Sequence, residues 1–232
     1  MTTYYLQPED ALTDFLRSYL DDPSGRVSSD SVTFTASVSQ NSYALSLPDS
    51  VSCITSITVD GTELKKWKEY FWDYSSNTIT FFTALHGGEK VIVSYKHGST
   101  DWIYSDRPDE NLSNSSFPRI SLFSVGGTGR KLGNYQAPIS SIHNIQIDIW
   151  VREGTVRTIS GKKFSNEYLA RHISYGVVRA FELYENKLFG VFFDFEFTSI
   201  PRYSPPENDF DAHHSIVEVA FNAINAGKIT NG

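Results

Sequence analysis

The chain has 232 residues, 40% hydrophobic and 14% aromatic, which is ample material for a buried core and enough length for one large domain or two modest ones. A formal charge of −7 argues against wrapping nucleic acid, which needs clustered Lys and Arg, and the single cysteine, Cys53, excludes an intrachain disulfide, a paired-cysteine zinc site and a CxxC redox motif. No apolar run reaches roughly 18 residues and no basic segment opens the N-terminus, so neither a membrane span nor a signal peptide is expected, and synthesis in the cytoplasm fits best.

Pro8-Glu9-Asp10 has the proline and acids that suit a first helical turn. Leu12, Phe15, Leu16, Tyr19 and Leu20 then form one apolar stripe at helical spacing, ended by Asp21 to Gly25. From Ser31 to His97 the period is two. Val32, Phe34 and Ala36 alternate with threonines, as do Tyr43, Leu45 and Leu47 with polar neighbours. Ile54 to Val59 leads into Asp60-Gly61, a strong hairpin signal, and further strands are read at Tyr70 to Tyr74, Thr78 to Phe82 and Val91 to Tyr95. The polar stretch Gly98 to Ser116 reads as a linker.

A second architecture starts at Phe117. Ile120 and Leu122 alternate in a strand expected to stop at Gly126-Gly127, and Gly126 to Gly133 reads as a glycine-rich, charged loop. Ile145, Ile147 and Ile149 mark a half-buried strand with Gln146, Asp148 and Trp150 on its outward side. Gly154 to Lys163 reads as a second loop. Ser165 is a plausible N-cap for a helix carrying Leu169, Ile173, Val177, Ala180, Phe181 and Tyr184, and strands follow at Val191 to Phe197 and Ser215 to Phe221. The expected fold class is α+β: a mixed or antiparallel sheet of about four strands packed by two helices, spanning residues 1–28 and 99–232, with an all-β sandwich module inserted at 29–98.

Chemistry is sparse. Gly126 to Gly133 fails as a P-loop, because no Ser or Thr follows Lys131 and Asn134 to Pro138 is a poor helix start. Asp209, Asp211, His213 and His214 are metal-type ligands, but on a strand the two histidines point to opposite faces. His143 and His172 could approach each other, without a nucleophile of known type. Asp194 and Glu196 share a strand face, as exposed carboxylates commonly do. No catalytic set, metal site or cofactor is expected.

Two resemblances bear on function. Ile57 to Leu64 with its V-x-G turn, Tyr70 to Tyr74, Thr78-Ile79-Thr80-Phe81, Gly87-Gly88-Glu89 and Val91 to Tyr95 resemble a small β-sandwich module of tailed-phage structural proteins. The N-terminal helix, Phe117-Pro118-Arg119-Ile120, the Gly-rich segment, Ile145 to Val151, a long helix and a last strand after Asp209-Phe210-Asp211 are similar in order to the tail terminator and tail-completion proteins of long-tailed phages. That resemblance implies a non-enzymatic virion protein of the neck: a homo-oligomeric ring, typically hexameric, that caps the tail tube protein, joins it to head connector or neck proteins, and lets genomic DNA pass without specific binding. In such a ring the two loops, with Arg130, Lys131, Arg152, Arg157, Lys162 and Lys163, are the expected protein contacts. The alternative is a virion accessory protein whose β module binds carbohydrate or a receptor through Trp67, Tyr70, Phe71 and Trp72.

Overall fold

The computed structural model describes residues 3–5, 8–47, 50–98, 101–105, 116–131, 139–184, 192–197, 202–204, 212–224 and 228–230. Among these residues it is mixed α+β and rich in strand, with two helices and several largely antiparallel sheets. A short ladder pairs Thr3–Tyr5 (β1) with Lys228–Thr230 (β17).

Pro8–Tyr19 (α1) forms as its stripe predicts, with Leu12, Phe15 and Leu16 buried. Val27–Thr35 (β2), Val51–Val59 (β4), Thr62–Glu63 (β5) and Lys90–Gly98 (β8) make one sheet in the order β2-β8-β4-β5. Ser42–Ala44 (β3), Tyr70–Asp73 (β6) and Thr78–Phe81 (β7) make another in the order β3-β7-β6. The turn between β4 and β5 has Asp60 at φ 47° and Gly61 at φ 83°, the two positive dihedrals that Asp-Gly supplies at low cost. Alternate residues of these strands meet in one core that includes Ile54, Ile57, Trp72, Ile79, Phe81 and Val93.

The main sheet has six strands, not about four. Ile103–Tyr104 (β9), Arg119–Lys131 (β10), Ile139–Arg152 (β11), Phe192–Phe197 (β14) and Ala212–Ile224 (β16) lie in the order β14-β16-β11-β10-β9, and Arg202–Ser204 (β15) also pairs with β16. All pairings are antiparallel except β9 with β10. β9 falls inside the expected linker, where Trp102 and Ile103 are core residues. Two-residue strands carry no readable period.

Val156–Ile159 (β12) and Lys162–Ser165 (β13) form a hairpin where a loop was expected, and Asn166–Tyr184 (α2) follows directly on Ser165, which closes β13. Asn166 Oδ1 accepts from the Gly154 backbone N–H at 3.1 Å. α2 buries Leu169, Ile173, Val177 and Phe181 against the inward residues of the sheet, among them Ile147, Ile149, Val217 and Phe221. Each such side chain, fully buried, contributes ~1.5–3 kcal/mol relative to exposure.

Candidate interaction surfaces

α1 sits between the two cores, and its polar side chains tie them together. Asp14 accepts the Tyr74 hydroxyl and pairs with Lys66, whose Nζ also donates to the Ile54 carbonyl at 2.9 Å. Arg17 Nε donates to the Ile103 carbonyl at 2.9 Å, and its guanidinium lies 3.0 Å from Asp101. Lys96 Nζ reaches from β8 to the Leu20 carbonyl at 2.8 Å, while Arg26 donates to the Pro118 carbonyl at 2.8 Å. These bonds satisfy charged groups that closure of the seam would otherwise desolvate at a cost. Desolvation of the hydroxyl in the seam, with Asp14 beside it, pushes the Tyr74 phenol well above its ordinary value, while the residue as a whole is 40% exposed.

Beside this seam lies a cavity of about 420 Å³ lined by Asp10, Thr13, Arg17, Trp67, Phe71 and Asp73 among others. The aromatics expected as a binding platform do not form an exposed one: Trp67, Tyr70 and Trp72 are 8%, 1% and 1% exposed, and Phe71 is half-buried. The alternative reading expected them at the surface. They serve instead as core, where aromatic bodies bury the most area.

The side of the main sheet that faces away from α2 was read as outward, yet part of it is closed. Asp148 and Trp150 on β11, Arg119 and Ser121 on β10 and His214 on β16 are all buried. Trp150 stacks on His214 at 3.9 Å, and Arg119 lies 3.7 Å over the Tyr104 ring. His214 Nε2 is 3.2 Å from Asp148 Oδ1, within ion-pair range but off the line of a hydrogen bond; Gln146 Nε2 donates to the same oxygen at 2.8 Å. Alternation put these residues on the correct side. It could not show their burial, which comes from packing against one another across neighbouring strands.

The six basic residues expected to act together are divided. Lys162 and Lys163 are exposed at the β12–β13 hairpin, whose turn holds Ser160 at φ 49° and Gly161 at φ 78°. That Ser-Gly pair, flanked by alternating residues, was the missed signal. Arg157 on the same hairpin is a tether, donating to Ser24 Oγ at 2.8 Å and to the Phe117 carbonyl at 3.4 Å. Arg152, half-buried, ends β11 just before it. Arg130 and Lys131 lie at the other end of the β10–β11 ladder, opposite Ser140 and Ile139. With a rise of 3.2–3.4 Å per residue the two ends are separated by about 40 Å. Gly126–Lys131 is strand, not loop, because pairing with β11 holds it extended; Leu132 and Gly133 lie outside the described residues.

His143 stacks on Phe221 at 5.6 Å and has its proton affinity lowered by burial; His172 packs on Phe164 at 4.4 Å. His213 and His214 do alternate faces, opposite Val151 and Trp150, and Asp209 and Asp211 lie outside the described residues. Among the described residues no three metal-type ligands cluster, and no helix is long and apolar enough to cross a membrane. Asp194 and Glu196 are exposed on β14, where Asp194 sits in a bulge and accepts from Asn222 Nδ2 at 3.3 Å.

No protein-family model matches this chain, and no curated protein matches it.

Proposed function

We propose that this chain is a structural subunit of a phage neck, a tail terminator that forms a ring, hexameric by the resemblance, on the end of the tail tube and joins it to the head connector. The reading is non-enzymatic. One observation carries it: the main sheet runs on past its helix-covered core. The core of this sheet ends near Leu122, Ile145 and Phe221, whereas β10, β11 and β16 continue to Lys131, Ile139 and Ile224, with Val125 and Ile142 51% and 45% exposed. A helix-backed sheet whose long ladder projects apolar and glycine residues into solvent suits a protein completed by its neighbours.

The finer architecture belongs to the same proposal. Residues 29–98 are read as an inserted β-sandwich module, supported by the two sheets that share one core and by α1 binding that module to the rest. The β12–β13 hairpin, with Lys162 and Lys163 exposed, is read as one contact to the tube or to a neighbouring protein; DNA passes a net acidic ring whose repulsion acts over about 8 Å at physiological salt. Cryo-electron microscopy of the intact particle tests this. A closed ring of this chain between tail tube and connector supports the proposal, and its presence only on capsid or fibres overturns it.

A further inference from the structure

The main sheet leaves two stretches of strand edge with no strand partner among the described residues. On β10 only Ile120 and Ser121 are paired on the side away from β11, to β9. The next stretch, Ser124 to Gly127, is exposed. At the opposite end β14 pairs with β16 alone. We propose that β10 of one copy pairs antiparallel with β14 of the next copy, so that the sheet continues from subunit to subunit.

Direction, level and charge agree on this partner. The successive antiparallel pairings β14–β16, β16–β11 and β11–β10 make β10 and β14 run in opposite senses. A neighbour generated by rotation about an axis along the strands therefore presents β14 antiparallel to β10. The registers then fix the height. Ser124 lies opposite Ile145, which lies opposite Val219, which lies opposite Phe197; Gly129 leads in the same way through Ser141 and Ala223 to Phe192. The free part of β10 is thus level with the whole of β14.

The two edges differ in net charge, whereas β10 meeting β10 would bring two basic edges together. Asp194 and Glu196 are exposed on β14, and β10 ends in Arg130 and Lys131. Arg130, opposite Ser140, stands on the face that also carries Glu196, opposite Ala220, but about four residues further along the ladder, so this difference in net charge involves no ion pair between these residues. An open edge is a template for another strand. Because β10 and β14 are different surfaces, their pairing is heterologous and leaves each copy with one edge to give and one to receive, which makes a ring where the rotation between copies closes and an open filament where it does not. A β10–β10 contact would stop at a dimer. The inference rests on the ring proposal for the number of copies, not for the pairing itself.

The test is cross-linking of the full chain carrying Val125→Cys and Glu196→Cys, both exposed and level with each other, using a short thiol–thiol reagent; Cys53 is fully buried and stays silent. The expected result is a ladder of dimer, trimer and higher species from the double variant, and none from either single variant. Dimers from Val125→Cys alone, or only monomers from the double variant in free protein and in particles, overturn the pairing. A ring seen on the tail whose subunits do not cross-link overturns the pairing and leaves the ring. A ladder from free protein with no ring in the particle does the reverse.

Discussion

Beneath α2 the core is mainly aliphatic, with Ile145, Ile147 and Ile149 of β11 meeting Val217 and Val219 of β16 and sealed by Leu169, Ile173 and Val177 of the helix. Between the two smaller sheets the centre is aromatic, with Tyr43, Tyr70, Trp72, Phe81 and Tyr95, and each sheet seals the other without a helix. One core needs α2 to exist; the other is shared by the two smaller sheets, which meet the rest at α1 and through Trp67, Phe71 and Phe82 against the helix-sealed cluster. The difference teaches where cooperativity should be weakest, namely across the seam of Asp14, Arg17, Lys66 and Lys96.

The largest expected effect breaks one core alone. Trp72→Ala should cost about 3–5 kcal/mol, the range for truncating a large buried aromatic. If the cores are separable, denaturant should melt the smaller sheets early while the α2 circular dichroism signal keeps its original midpoint. A common shift of both signals would show one cooperative unit. Asp14→Ala comes next, at about 3 kcal/mol, because it leaves the amine of Lys66 without its carboxylate in a closed seam. Here both transitions should move, since the pair belongs to neither core.

Much of this contrast can be read from residue order, and the reasons for the rest are physical. The Ile145 to Ile149 alternation, the α1 stripe and Asp60-Gly61 announce themselves because local period and turn chemistry agree with the final fold. Gly126 to Lys131 misled because glycine and charge favour loops, whereas the partner strand from Ile139 to Asn144 dictates extension. Of the candidate site, Lys162 and Lys163 remain exposed as expected, but Arg157 is consumed in tethering and Arg130 lies a full ladder away. Sequence spacing cannot report distances set by strand pairing. The buried Asp148 and His214 were placed on the correct face and assigned the wrong exposure for the same reason.

Smaller perturbations sharpen the contrast from within. Ser174 Oγ and Ser215 Oγ are 2.7 Å apart inside the helix-sealed core, and Ser174 also donates to the Ala170 carbonyl. Ser174→Ala should cost about 1 kcal/mol and move only the α2 transition in denaturant melts. Cys53, fully buried with its thiol pushed up to about 11 by burial, should resist alkylation in the native chain and react on unfolding. If it reacts at the rate of unfolding of the smaller sheets while α2 is intact, the seam opens before the helix-sealed core.

The smallest effect concerns the turn that leaves α1. Burial raises the affinity of Asp22 for its proton, but the hydrogen bond from Arg26, helped by the Ser24 and Arg26 backbone, outweighs it and holds the carboxyl below its ordinary value. A carboxyl lowered in the fold binds fewer protons than in the unfolded chain. Its stabilisation is therefore complete above the ordinary carboxylate value of ~4 and is lost as pH falls through the lowered native one. Asp22→Asn should remove that part of the acid dependence while leaving the slope at higher pH unchanged, as read from denaturation midpoints across the acid range. Because Arg26 also bonds the Pro118 carbonyl, losing Asp22 frees the guanidinium to shift, and the loss should fall on the junction between α1 and β10 more than on the aromatic core. An equal loss in both transitions would mean that this turn, like Asp14, belongs to the seam.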